Sequence, residues 1–224
     1  MNRLGDATWP DVAVDPPLLL VPVGSCEQHG PHLPLDTDTR IAVAIADACA
    51  ASVSGVAVTP PISIGASGEH AGFAGTLSIG NDVLETLLIE LGRSADWSTG
   101  LVFVNGHGGN HTAVRAAVET LTAEGRRALA WWPHIHGGDA HAGRSETSLL
   151  LTISPELVRL DRAAAGNTDR IATLMPALRD GGVAAVSANG VLGDPCGANA
   201  AEGVALLDRL AADLAEAIAA WRTT

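Results

Sequence analysis

Basic residues are scarce in this 224-residue chain: 13 Lys plus Arg face 25 Asp plus Glu, for a net charge of −12, and no run of cations interrupts it. That balance excludes a surface built to track phosphates, and with it a nucleic-acid partner. Charge of either sign is sparse, at 17% of residues, while hydrophobic residues reach 47%. Such a composition excludes a disordered chain and leaves much apolar surface to bury, some of it at subunit contacts. Cysteine is rare too. Cys26, Cys49 and Cys196 are odd in number, far apart and without a CxxC pair, which excludes a disulfide framework and a cysteine zinc site and suits a reducing cytoplasm. No long apolar run is present. Leu18–Val23 is far too short to span a bilayer, and the first 17 residues, with Asp6, Asp11 and Asp15, lack the basic-then-apolar order of a signal peptide, so a soluble cytoplasmic protein is expected.

What is there reads as alternating strand and helix. Leu18–Val23 is a continuous apolar run opening into Gly24 and Ser25, as in a strand buried on both faces. Residues 55–64, 101–104 and 128–133 repeat that character, and residues 39–51, 81–97 and 112–124 between them carry helical spacing. The pattern predicts an α/β fold, a mostly parallel sheet covered by helices. Residues 183–187 are a further candidate strand. Residues 202–221, with Leu206, Leu207, Leu210, Leu214 and Ile218 on one stripe, predict a closing helix. Nothing marks a linker, so residues 1–224 are expected to form one domain.

The chemistry concentrates in three loops. The stretch from Gly24 to Asp38 holds Glu27 and His29 two residues apart, a spacing that lets both side chains leave one face of an extended backbone, with Asp38 at the start of a helix. Taken singly, Asp36 or Asp38 is as well explained as a helix cap and His29 as a loop histidine. The second loop, Asn105-Gly-His-Gly-Gly-Asn-His111, places His107 at the carboxyl end of a strand, where open α/β sheets bind ligands. Asn110 and His111 read as capping or surface residues. The third, from His134 to Ser148, carries His136, His141 and Glu146. His141 and Glu146 bracket a glycine turn that can bring a proton-transfer group and a metal ligand to one pocket, while His134 and His136 either line that pocket or belong to a plain polar loop. Imidazole and carboxylate ligands without cysteine favour catalytic Zn, Mn or Fe(II) over Ca or Mg, and over a closed structural zinc site.

The run from Pro22 to Asp38, together with Glu69-His70-Ala-Gly-Phe-Ala-Gly-Thr-Leu-Ser78, Asn105–Asn110 and His141-Ala-Gly-Arg-Ser-Glu-Thr147, resembles the creatininase family of metal-dependent amidohydrolases. The resemblance implies a three-layer α/β/α fold, a homo-oligomer and a centre of two divalent metals per subunit that hydrolyses amide bonds with metal-activated water. It implies Glu27, His29, Asp38, His107 and Glu146 as ligands, with Asp38 bridging, His141 as the proton-transfer residue and Glu146 part of the catalytic set. One departure stands out: the creatinine-hydrolysing branch has a carboxylate where this chain has Gly109. The chain looks most like a peptidase branch that removes a C-terminal Val-Tyr dipeptide from a modified precursor peptide. For such a substrate Gly109 is expected to leave space, Gly108 to offer backbone contact, and His136 to line the pocket. Arg144 is a candidate to grip the terminal carboxylate, the plainer alternative being a solvated or ion-paired arginine.

Three other readings compete. The same metals can serve a small amide such as creatinine or a formamide; the cluster can hold metal without turnover; or Cys26 beside His29 can act as a thiol nucleophile.

Overall fold

The computed structural model describes residues 2–223, so the two terminal residues of the expected 1–224 domain lie outside the described part. In chain order the elements are α1 (Trp9–Val14), β1 (Leu18–Val23), α2 (Thr37–Ser52), β2 (Val56–Val58), α3 (Asn81–Ser94), β3 (Leu101–Asn105), α4 (His111–Ala123), β4 (Ala128–Trp131), α5 (Arg144–Ile153), α6 (Ile171–Gly181) and α7 (Ala200–Arg222), with short 3₁₀ turns between them. The four strands form one parallel sheet in the order β2-β1-β3-β4, Leu18 opposite Val56, Leu19 opposite Leu101, and Leu101 opposite Ala128.

Because side chains alternate along a strand, β1 feeds two cores at once. Leu18 and Leu20 join Val102, Val104 and the apolar faces of α2, α5 and α7, where Ile45, Leu149, Leu210 and Leu214 are buried. Leu19, Val21 and Val23 join Leu101, Phe103 and the faces of α3 and α4, through Leu84, Leu88, Val114 and Leu121. The result is the three-layer α/β/α arrangement, and the uninterrupted apolar run of β1 is explained by burial on both faces. Each fully buried Leu or Phe contributes about 1.5–3 kcal/mol. This packing fixes the strand ends to which the functional loops are attached.

Two sequence expectations need correction. Only Val56–Val58 of residues 55–64 is a strand, because Pro60 and Pro61 cannot donate to a ladder; Ile62 keeps a single bridge to Val23. Residues 183–187 do not form a strand. Val183–Ala185 is a 3₁₀ turn entered through Gly182 at φ 68, and Val183 packs with Leu174 and Leu192 in a small cluster away from the sheet. Helix α6, with Pro176 inside it, has no counterpart among the sequence expectations. No helix among the described residues is long and apolar enough to cross a membrane.

Candidate metal centre

The carboxyl ends of β1 and β3 stand side by side, Val23 opposite Asn105, and the loops leaving them meet over the sheet. Gly24 passes so close to the start of α2 that a Cβ there would lie 2.2 Å from Thr39 Oγ1, so the chain needs glycine at this turn. Ser25 Oγ then donates to Asp38 Oδ2 (2.8 Å) and Thr39 Oγ1 to the Ser25 carbonyl (3.1 Å), binding the first loop to the first turn of α2. Asn110 ties this loop to the others: its amide donates to the Gly24 carbonyl (2.9 Å) and accepts the Ala66 N–H (2.8 Å). Asn110 is fully buried and makes no helix-capping bond, which corrects its reading as a cap or surface residue.

Glu27, His29, Asp38, His107 and Glu146 are brought together here. His29 Nε2 lies 3.0 Å from Asp38 Oδ1 and 4.0 Å from Glu146 Oε2. His107 places Nδ1 3.1 Å from Asp38 Oδ2 and Nε2 3.1 Å from Glu27 Oε2. Three sets of potential ligand atoms each fall within 4.8 Å of one another: Glu27 with Asp38 and His107, His29 with Asp38 and Glu146, and Glu27 with His29 and His141. Asp38 belongs to two of them, one oxygen turned to each side. Both Glu27 oxygens are buried, and neither receives a hydrogen bond of proper geometry despite the nearby ring nitrogens. A carboxylate stripped of water and left without a donor is costly unless a cation meets it, so the donor set fits divalent metal ions.

The electrostatics carry the same message. Burial and the neighbouring Asp38 push the Glu27 carboxyl up to about 8, and burial raises Glu146 to about 7. Burial would also raise Asp38, but His29 and His107 outweigh it and hold that carboxyl well below its usual range. Burial opposes charge on His29, yet Asp38 holds the imidazolium up to about 9. Burial, with His29 and His70 adding to it, keeps His141 well below the usual histidine range, and therefore neutral. One site thus pairs groups whose protonation is driven in opposite directions, as proton-transfer chemistry requires.

His107, His141, Gly108 and Gly109 line a cleft of about 940 Å³, with Glu69 and His70 among its walls. Glu69 and His70 belong to one of the motifs that carry the family resemblance, and Gln28 sits between two of the expected ligands. All three touch the cluster: Glu69 Oε1 is 3.3 Å from His107 Nε2, His70 Nε2 is 3.2 Å from Glu27 Oε1, and the Gln28 amide contacts His70 and His141. A charged pair such as Glu69-His70, set in a run of Gly and Ala, was the available signal. Gly109 does not leave space. A Cβ there would lie 2.3 Å from Glu69 Oε1 and 2.4 Å from His107 Nε2, so a carboxylate from another segment already fills the gap over the glycine.

Arg144 and His136 are not brought to this cleft. They line a separate depression with Asp139, Asp194 and Glu202, and the Arg144 Nε donates to Glu202 Oε2 (2.8 Å), locking the start of α5 to α7. That ion pair is the plainer of the two roles considered for Arg144. His134 is exposed, and His111 packs at a tilt against Trp132 with ring centroids 4.1 Å apart. Cys26 turns its thiol toward the Gly75 carbonyl (3.7 Å), while the His29 ring is taken up by Glu27 O and Asp38.

The creatininase family model, described as creatinine amidohydrolase, matches residues 5–218. The chain is 53% identical to a mycofactocin precursor peptide peptidase of Mycobacterium ulcerans over 99% of its own length and 92% of the relative's, and 52% identical to the protein of the same name from Mycolicibacterium smegmatis with the same coverage. Its fold superposes on a solved manganese creatininase with a TM-score of 0.80 and 25% identity, covering 96% of both chains.

Proposed function

The chain belongs to the creatininase family of metal-dependent amide-bond hydrolases, and from that premise we propose that it is a peptidase acting on the mycofactocin precursor peptide, releasing a Val-Tyr dipeptide from the modified C-terminus. The observation that carries this reading is the 53% identity, spread over 99% of the chain, to a relative named for that substrate. The whole chain would act as one metallohydrolase domain, in the cytoplasm and as a homo-oligomer.

In this reading Glu27, Asp38 and His107 would hold one divalent cation and His29, Asp38 and Glu146 a second, since each trio offers ligand atoms close enough to meet one ion. Zinc, manganese or iron(II) bound there would polarise the scissile carbonyl and lower the pKa of a water toward about 7. His141 moves the proton. Its Nε2 lies 2.8 Å from the Gln28 carbonyl, and only an N–H makes such a contact, so Nδ1 is the bare nitrogen, 3.8 Å from Glu27 Oε1. As water adds to the carbonyl carbon, Nδ1 takes one of its protons and passes it to the amide nitrogen when the C–N bond breaks; the remaining hydroxyl proton follows it to the nitrogen, leaving a carboxylate and a protonated amine. Glu146 accepts the Ala142 N–H (2.6 Å), which holds the turn carrying His141 against the cluster. Ala142 takes φ 53 to make that turn.

The test is to incubate metal-loaded protein with a modified precursor peptide ending in Val-Tyr, and separately with creatinine and an N-formyl amide, following products by mass spectrometry. Release of the dipeptide alone supports the proposal. Turnover of a small amide with an inert peptide overturns it in favour of another branch of the family.

A further inference from the structure

The Gln28 side chain is 5% exposed and lies between two imidazoles of the cleft. Its Oε1 accepts the Gly30 N–H (2.8 Å) and its Nε2 donates to the Gly190 carbonyl (3.0 Å), so the amide has one orientation; reversed, donor would face donor and acceptor would face acceptor. Gly190 is shaped for it. At φ 80, a Cβ on this residue would lie 1.9 Å from Gln28 Oε1. The second hydrogen on Nε2 is directed at His70 Nδ1, 2.9 Å away. A neutral imidazole has one N–H, so a His70 that accepts at Nδ1 carries its proton on Nε2, facing Glu27 Oε1 at 3.2 Å. The backbone of the same residue grips the other ring by the opposite end, its carbonyl receiving His141 Nε2–H. Gln28 Nε2 is also 3.0 Å from His141 Nε2, but both amide hydrogens are already committed, and the carbonyl decides the tautomer.

We infer that Gln28 is a positioning residue that locks both His70 and His141 as Nε2–H tautomers while turning opposite ends of the two rings to the cluster. His141 thereby presents a lone pair, able to take a proton from water, and His70 presents an N–H, able to donate to an oxygen that gains negative charge in the cleft. The two rings lie tilted at 49° to one another with centroids 4.5 Å apart, so the acceptor and the donor act on one small volume. The inference rests on the reading of this cluster as the hydrolytic centre.

Two-bond ¹H–¹⁵N correlation spectra of zinc-loaded protein, labelled with ¹⁵N at histidine, read the tautomers without any turnover. Wild type is expected to show both His70 and His141 protonated at Nε2. Gln28→Glu, whose oxygens can only accept, is expected to move the His70 proton to Nδ1, leave His141 unchanged, keep full zinc content and lower kcat by about 10²-fold, the low end for a lost proton-transfer partner, with KM little altered. Gln28→Met, which neither donates nor accepts there, should give mixed His70 tautomers. A wild-type spectrum with either ring protonated at Nδ1 overturns the inference even if both variants fail to fold, as does a Gln28→Glu protein whose His70 tautomer and kcat match wild type. Wild-type protein with the expected tautomers but no hydrolysis of any peptide or amide would overturn the functional reading alone.

Discussion

Charged side chains crowd together at both ends of the sheet, with opposite consequences. Across the last turn of α3 and the loops that follow α3 and α4, Arg93, Glu90, Glu124, Arg126 and Asp96 form a chain of ion pairs, with Arg93–Glu90 at 2.6 Å and Arg126–Asp96 at 2.8 Å. At the carboxyl ends of the strands, Glu27, Asp38, His29 and His107 lie no closer, at 3.0–3.1 Å. The first group is largely exposed and each carboxylate has a guanidinium; the second is buried and includes Glu27, whose two oxygens have no matching donor. A charge pair 4 Å apart is worth about 1 kcal/mol in water and about 4 kcal/mol at the effective dielectric of a protein surface region. Proximity therefore does not mark a site. Burial with an unmet demand for a cation does.

The comparison breaks if the buried end behaves like the exposed one. The largest effect is expected from Asp38→Asn, which removes the group shared by both triads: metal affinity should fall by more than the 10–100-fold that even outer-shell partners cost, and activity should vanish while far-UV dichroism stays unchanged. Glu27→Gln should follow the same pattern. Full metal content in either variant, measured by elemental analysis after purification without chelator, would remove both from the ligand set. His141→Ala comes next, with kcat lowered by about 10²- to 10⁴-fold and the metals retained. Loss of metal in that variant would instead make His141 a ligand beside Glu27 and His29, which the geometry also permits.

A smaller effect concerns His32, buried at the same end with Nε2 2.9 Å from Thr147 Oγ1 and Nδ1 without a partner. Burial pushes its pKa down to about 4 from the ordinary 6.5. The unfolded chain therefore takes up this proton at a higher pH than the folded one. The stability gained from a neutral His32 is complete above about 6.5, drains away as pH falls toward about 4, and is gone below that. His32→Gln should flatten the acid limb of a urea-melt series between those limits by up to about 1.4 kcal/mol per pH unit. A variant with the same acid limb as wild type would show that His32 is protonated in the fold. Least is expected of Arg93→Gln at the exposed end, a marginal loss of stability that shrinks with added salt and leaves hydrolysis intact.

Much of the fold was legible because its signals are local. β1 announces itself as six apolar residues, and α7 as a leucine stripe; both depend only on periodicity. The strand expected at 183–187 failed because a short apolar run does not say whether a sheet edge is within reach, and here a glycine with positive φ sends it into a turn. Glu27, His29, Asp38, His107 and Glu146 stood out by residue type beside Gly and Pro. Gln28 did not, since a glutamine between two such residues has no chemistry of its own until the rings it orders arrive from elsewhere in the chain. Arg144 left two roles open in the sequence: it lies two residues from Glu146, but positions i and i+2 on a helix point apart, and it takes the ion-paired role with Glu202.

The sequence by itself determined the alternation of the four sheet strands with the helices that cover them, the two-sided burial of the sheet and the inventory of groups able to hold a metal, because these follow from side-chain chemistry and short-range spacing. Only the tertiary structure decided which groups meet and in what state. It set Glu69 over Gly109, sent Arg144 to a different depression, and joined Gln28 to a histidine 113 residues away. Those outcomes depend on how the loops close over the strand ends and exclude water, and it is that exclusion which turns a list of polar residues into a set of shifted pKa values, fixed tautomers and unmet ligand positions.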